Sequence, residues 1–149
     1  MNKFSKMIVL VLCLMGAATT YAQSAADRIL GVYAAVEEGK DAKVRFTKLA
    51  DGTYQGQIFW LKNDKNADGS PKMDIKNPDP EKRKVRADNI IIVWGIRYDA
   101  KENEWNGGKV YNPTSGKTYT AEVSLDGNTL NIRGKLGPFG KSVYWKKIE

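Results

Sequence analysis

The sequence predicts an all-β fold, an eight-stranded antiparallel up-and-down barrel interrupted by one long charged loop. Three observations carry this expectation. Short runs alternate apolar and polar residues with the period of two that sends successive side chains to opposite faces of a strand. Gly, Asn, Asp and Pro separate those runs at turn spacing. Eight short antiparallel strands also leave edges that closure into a barrel removes. A barrel of this size is just wide enough to be filled by side chains or to hold one small ligand, and the strand count does not separate the two cases.

The first 22 residues are read as a signal peptide. Lys3 and Lys6 precede an unbroken apolar run from Met7 to Met15, and Thr20-Tyr21-Ala22 supplies an A-x-A-like cleavage site, so the exported chain is expected to begin at Gln23. The run is far shorter than the roughly 20 residues that span a bilayer, so no transmembrane segment is expected after cleavage. Cys13 lies inside the run without the small residue before it that a bacterial lipoprotein signal requires. The expected location is periplasmic or secreted, and residues 23–149 fit a single domain with a modest core.

Loss of the signal restricts the chemistry. The single cysteine goes with it and the chain has no histidine, which excludes thiolate nucleophiles, disulfides, imidazole-bound zinc and Ser-His-Asp mechanisms. The formal charge falls from +7 to +5 because residues 1–22 contain two lysines and no acidic residue. A moderately basic exported domain can associate with anionic envelope polymers, although solubility alone explains such a charge. Nucleic acid is not an expected partner outside the cytoplasm.

The strands are expected at Ile29 to Ala35, Ala42 to Lys48, Thr53 to Leu61, Asn89 to Tyr98, Glu104 to Tyr111, Lys117 to Leu125, Thr129 to Leu136 and Lys141 to Ile148, after a short helix from Ser24 to Arg28. Alternation is clearest in the sixth, where Tyr119, Ala121, Val123 and Leu125 share one face. Asp51-Gly52 and Asp126-Gly127 are compact hairpin signals, because glycine tolerates the positive φ these turns need. Asn112 to Gly116 makes a longer turn.

Lys62 to Asp88 breaks the regularity, with eight basic and six acidic side chains in 27 residues. Loops this long in a compact domain are usually functional or disordered. Asp79-Pro80-Glu81 is suited to cap and start one helical turn within it. Asp64, Asn66 and Asp68, followed by Gly69, match the start of a calcium loop, in which alternate oxygen ligands converge on one ion. Position twelve is Ile75 where a bidentate Glu is needed, so the candidate calcium site is a weak one, and an ordinary Asn/Asp/Gly turn is the commoner outcome. No other cofactor is expected.

The second constellation is aromatic. Trp60, Trp94, Trp105 and Trp145 fall on four different strands, with six tyrosines among them. Such rings either floor an apolar pocket or fill a core. Trp60, Trp94, Trp105 and Tyr119 are the candidate ligand-binding walls. The carboxylate pairs Glu102/Glu104 and Glu37/Glu38 sit in turn-like regions and read as solvated charge, so no catalytic residue is assigned.

A family resemblance rests on several blocks: Gly31-Val32-Tyr33, Gly56 to Leu61, Asp74 to Pro80, Trp105 to Tyr119, Arg133 to Gly137, and Tyr144-Trp145. In this order they resemble a small exported bacterial family known as domain of unknown function 2147. The W-x-G-G-x-x-Y-x-P-x-x-G-K-x-Y block from Trp105 to Tyr119 is the most specific part. Tyr33 stands where the family usually has Trp, and Arg86-Ala87-Asp88-Asn89 replaces an Arg-Pro-Leu-x-Gly-Leu segment. The resemblance implies a lipocalin-like, calycin-type barrel and brings no catalytic residue.

The leading functional expectation is an exported, non-enzymatic barrel that binds a small apolar or amphipathic ligand, such as a lipid, in the cell envelope. Its rival is an envelope interaction module with a filled barrel, contacting a polymer or protein through its charged loop. A hydrolase acting through carboxylates ranks third.

Overall fold

The computed structural model describes residues 25–36 and 40–149. The proposed signal peptide, Cys13, Ser24 and the Glu37/Glu38 pair lie outside them. The eight strands are β1 (Gly31–Ala35), β2 (Ala42–Lys48), β3 (Tyr54–Leu61), β4 (Ile91–Asp99), β5 (Glu104–Asn112), β6 (Lys117–Asp126), β7 (Thr129–Leu136) and β8 (Phe139–Lys147). Each pairs antiparallel with its sequence neighbour, and β1 pairs with β8 to close the barrel. The seam is extended by the Val32 amide donating to the Glu149 carbonyl at 3.0 Å and the Ile148 amide donating to the Val32 carbonyl at 2.8 Å. This is the up-and-down barrel expected from the alternation, closed by the β1–β8 seam.

Three strand starts differ from expectation by two residues, for physical reasons, and other boundaries differ by one. The chain around Ile29 forms a turn, not a strand, and buries Ile29 beneath the barrel. Ala87–Asn89 forms a 3-10 turn, so β4 begins at Ile91 and not at Asn89. β8 begins at Phe139, because Gly137 takes a φ of +57° at the first turn position and Pro138 follows it, which makes a two-residue hairpin between the paired Leu136 and Phe139. The expected helical turn after Asp79 forms at Lys82–Lys84, and Asp79 supports its approach by accepting the Glu81 amide at 3.0 Å.

The two ends of the barrel are built differently. One end gathers the β2–β3, β4–β5 and β6–β7 hairpins and the segment before β1. There Ile29, Tyr33, Phe46, Tyr54, Ile96, Trp105 and Leu130 pack into a solid layer, each at most 2% exposed. The other end gathers the β1–β2, β5–β6 and β7–β8 connections and the long segment from Lys62 to Ile90. Among the described residues no helix is long and apolar enough to cross a membrane.

Candidate functional site

An apolar cavity of about 760 Å³ opens at the second end of the barrel. Its walls are inward-facing residues from the strand halves nearest that end. Val44 on β2, Ile58 on β3, Ile92 on β4 and Ile132 on β7 are buried along it, and Trp145 on β8 closes its inner side. Val110, Tyr119 and Val143 complete the wall. The rim is apolar as well: Ile75, Leu136 and Phe139 line the cavity and are 72%, 60% and 78% exposed. Lys40, Asp41, Lys72 and Lys141 are the charged residues among the described lining.

The long connection is tied down over one side of the mouth. Asp74, 3% exposed, accepts the Tyr111 hydroxyl at 2.6 Å and the Asn77 side-chain amide at 2.8 Å. Burial, with this hydrogen bond as a second cause, raises the Tyr111 hydroxyl well above the ordinary tyrosine range. Lys76 donates to the Thr114 carbonyl at 2.8 Å, and its own carbonyl lies where a Cβ on Gly116 would sit, only 2.2 Å away. Only a glycine permits that approach, and Gly116 also has a φ of +75°. The Asp74-to-Pro80 and Trp105-to-Tyr119 blocks, separate in the sequence, thus form one clamp that fixes the loop against the β5–β6 turn. Lys72 is held within it by its own amide donating to the Asp64 carbonyl and its carbonyl accepting the Ala87 amide, both at 2.8 Å.

Of the four aromatic residues expected in the pocket wall, the structure brings only Tyr119 to the cavity. Trp105 is fully buried at the opposite end, where its indole N–H donates to the Ala26 carbonyl at 3.0 Å and its ring packs on Tyr98. Trp60 and Trp94 are turned outward by β-bulges, the irregularities that re-aim side chains. At the first, Lys43 pairs with Trp60 and Val44 with Ile58, so Phe59 is the extra residue and the Trp60 ring faces out under the Lys43 ammonium, 41% exposed. At the second, Tyr54 pairs with Ile96 and Gly56 with Val93, so the Trp94-Gly95 step is crowded out of register and Lys82 covers the Trp94 ring. Trp145 is the tryptophan that reaches the cavity.

The candidate calcium residues form a closed turn. The Asp68 carboxylate accepts the Ser70 amide at 2.9 Å and the Ser70 hydroxyl at 2.5 Å, which holds its pKa below the usual carboxylate value. The Asn66 side-chain amide donates to the Ser70 hydroxyl and the Pro71 carbonyl. Among the described residues no group of three or more acidic side chains is placed to hold a metal ion.

The sequence reading missed Asp74 and Asn77 as the clamp, and Lys40, Lys72 and Lys141 as the charged rim. Strand direction was the available signal. In an up-and-down barrel the end that carries the β3–β4 loop collects the C-terminal halves of odd strands and the N-terminal halves of even ones, which excludes Trp105 at the start of β5.

A search of curated proteins finds no match. A solved structure described as "Protein HP1028 from the human pathogen Helicobacter pylori belongs to the lipocalin family" superposes with a TM-score of 0.64 at 28% sequence identity, covering 82% of this chain and 84% of that one. The barrel is thus lipocalin-like. Residues 31–147 match the model of the family described as "Uncharacterized protein conserved in bacteria (DUF2147)", and the chain belongs to that family.

Proposed function

We propose that this protein is an exported, non-enzymatic barrel that binds one small apolar or amphipathic ligand in the cell envelope. The observation that carries the reading is the apolar cavity of about 760 Å³ at one end of a lipocalin-like barrel. Ligand pockets have volumes of roughly 300–1,000 Å³ and mostly apolar walls. The rival reading of a filled barrel is disfavoured by the same cavity. Non-enzymatic character is supported by the state of the nearby carboxylates: Asp41 is 3.5 Å from the Lys62 ammonium and Asp74 is buried against Tyr111 and Asn77. Export rests on the features of residues 1–22, and mass spectrometry of the periplasmic or secreted product is expected to find Gln23 at the N-terminus. A mature chain retaining Met7 to Met15 would refute export by this route.

The binding test uses the neutral fluorescent probe N-phenylnaphthylamine. Saturable one-to-one binding to the wild type is expected. Val143→Trp, which adds a large ring to the wall, is expected to weaken it at least tenfold. The same substitution is expected to cost less stability than the roughly 1–3 kcal/mol of overpacking a filled core. A wild type that binds no apolar probe would overturn the reading and favour the interaction module.

A further inference from the structure

We propose that the cavity takes a single-chain amphiphile with an anionic head, its chain among Val44, Ile58, Ile92 and Ile132 and its head at the mouth beside Lys40, Lys72 and Lys141. The inference rests on the cavity being a ligand site and adds the ligand's charge and orientation.

The orientation follows from where charge is tolerated. The deep walls are aliphatic and Trp145, and a charged group placed there would lose its hydration without a partner. Any charge on the ligand therefore sits at the mouth. Among the described residues that line the cavity, three are cationic and one, Asp41, is anionic. Asp41 already faces the Lys62 ammonium at 3.5 Å, whereas no ion pair within 4.0 Å involves Lys40, Lys72 or Lys141 among the described residues. Asp74 is buried, is not among the lining residues and is occupied by Tyr111 and Asn77. Lys72 is half-buried and its backbone is fixed on both sides, so its position at the rim is set by the loop. Ile75, Leu136 and Phe139 around these cations supply the apolar collar that the part of the chain next to the head would meet. Lysine is a point charge without the planar fork that selects one oxyanion geometry, so carboxylates and phosphate monoesters share the chemistry that is recognised.

The test is displacement of N-phenylnaphthylamine by amphiphiles with the same twelve-carbon chain: dodecanoate, dodecyl phosphate, dodecanol and dodecylamine. The two anions are expected to displace it at the lowest concentrations, dodecanol at roughly tenfold higher ones, and dodecylamine least well. Each exposed lysine contributes up to about fivefold. The preference should shrink as salt rises. Removing one methylene from dodecanoate is expected to weaken it about fourfold, as for a buried chain. Lys72→Glu should narrow or invert the order of heads. Exposed Lys141→Glu is a second variant should the first fail to fold. A larger effect of either substitution on dodecyl phosphate than on dodecanoate would identify the dianionic head as the preferred one within the proposal. Equal displacement by all four heads, or tightest binding of dodecylamine, would overturn the anionic head while leaving a ligand-binding cavity in place. Failure of every amphiphile and of the neutral probe would overturn both.

Discussion

The two ends of this barrel are made from the same eight strands, yet one is packed solid and the other is open. At the closed end three buried rings with a polar group find partners in the short segment before β1. Tyr33 donates to the Ile29 carbonyl at 2.9 Å, Trp105 to the Ala26 carbonyl at 3.0 Å, and Tyr54 to the Asp27 carboxylate at 2.5 Å. At the open end the long loop brings one buried polar clamp, at Asp74, and side chains that stand around the mouth without reaching the floor. A short plug that offers carbonyls lets rings of intermediate polarity be buried completely. A long loop anchored at one side leaves the space unfilled.

The largest expected effect breaks the closed end. Trp105→Ala removes a fully buried ring and is expected to cost about 3–5 kcal/mol in chemical denaturation, a large share of the roughly 5–15 kcal/mol that holds a domain together. Probe affinity of the fraction that folds should not change, because Trp105 is at the end away from the cavity. A loss of affinity beyond the loss of folded protein would show that the two ends are not independent.

Breaking the clamp is expected to cost less. Asp74→Ala strands the Tyr111 hydroxyl and the Asn77 amide, a loss of roughly 1–3 kcal/mol. Hydrogen exchange should quicken at the Lys72 and Ala87 amides while the amides of the closed end keep their protection. Uniform loss of protection would contradict a clamp local to the mouth.

Alkaline titration sharpens the contrast, because both ends hold raised tyrosines. Burial pushes Tyr33 up to about 12 from 10.0, and Tyr54 and Tyr111 are also raised, by burial first and then by their carboxylate partners. A raised folded-state pKa stabilises fully below the unfolded value, and that contribution is lost as pH rises through the folded value. Stability is therefore expected to be flat from these groups below pH 10 and to fall above it, with Tyr111→Phe removing only the open end's share. The acid limb has the opposite sign. The Tyr54 hydrogen bond, and then Lys48, lower the Asp27 carboxyl, so its contribution is present above 3.8 and is lost as pH falls through the lower folded value.

The smallest effect concerns the Asp64-to-Ser70 turn on the open side. Calorimetry with calcium is expected to find an affinity no tighter than the millimolar end of known calcium modules, since position twelve lacks its Glu. Asp68→Ala tests any heat that appears. Micromolar binding would mean that another carboxylate joins Asp64, Asn66 and Asp68.

The barrel was legible because strict alternation, as from Tyr119 to Leu125, states both the strand and its inward face. The cavity wall was less so. Trp60 and Trp94 occupy positions that alternation alone would turn inward, and the bulges that turn them out arise from pairing with β2 and β3, which a single strand's pattern does not record. The clamp was hidden for a related reason: Asp74 and Tyr111 are 37 residues apart and meet only when the loop folds back on the β5–β6 turn. The turn chemistry around Asp68 is local, so the Asn/Asp/Gly run states a turn without any long-range contact.

The division between a packed end and a binding end is tested most directly by the indole N–H resonances of the protein, which has four tryptophans. On titration with N-phenylnaphthylamine, the Trp145 resonance is expected to shift saturably, while that of Trp105 stays in place. A Trp105 shift as large as that of Trp145, or saturation of the probe with no movement of Trp145, would contradict it.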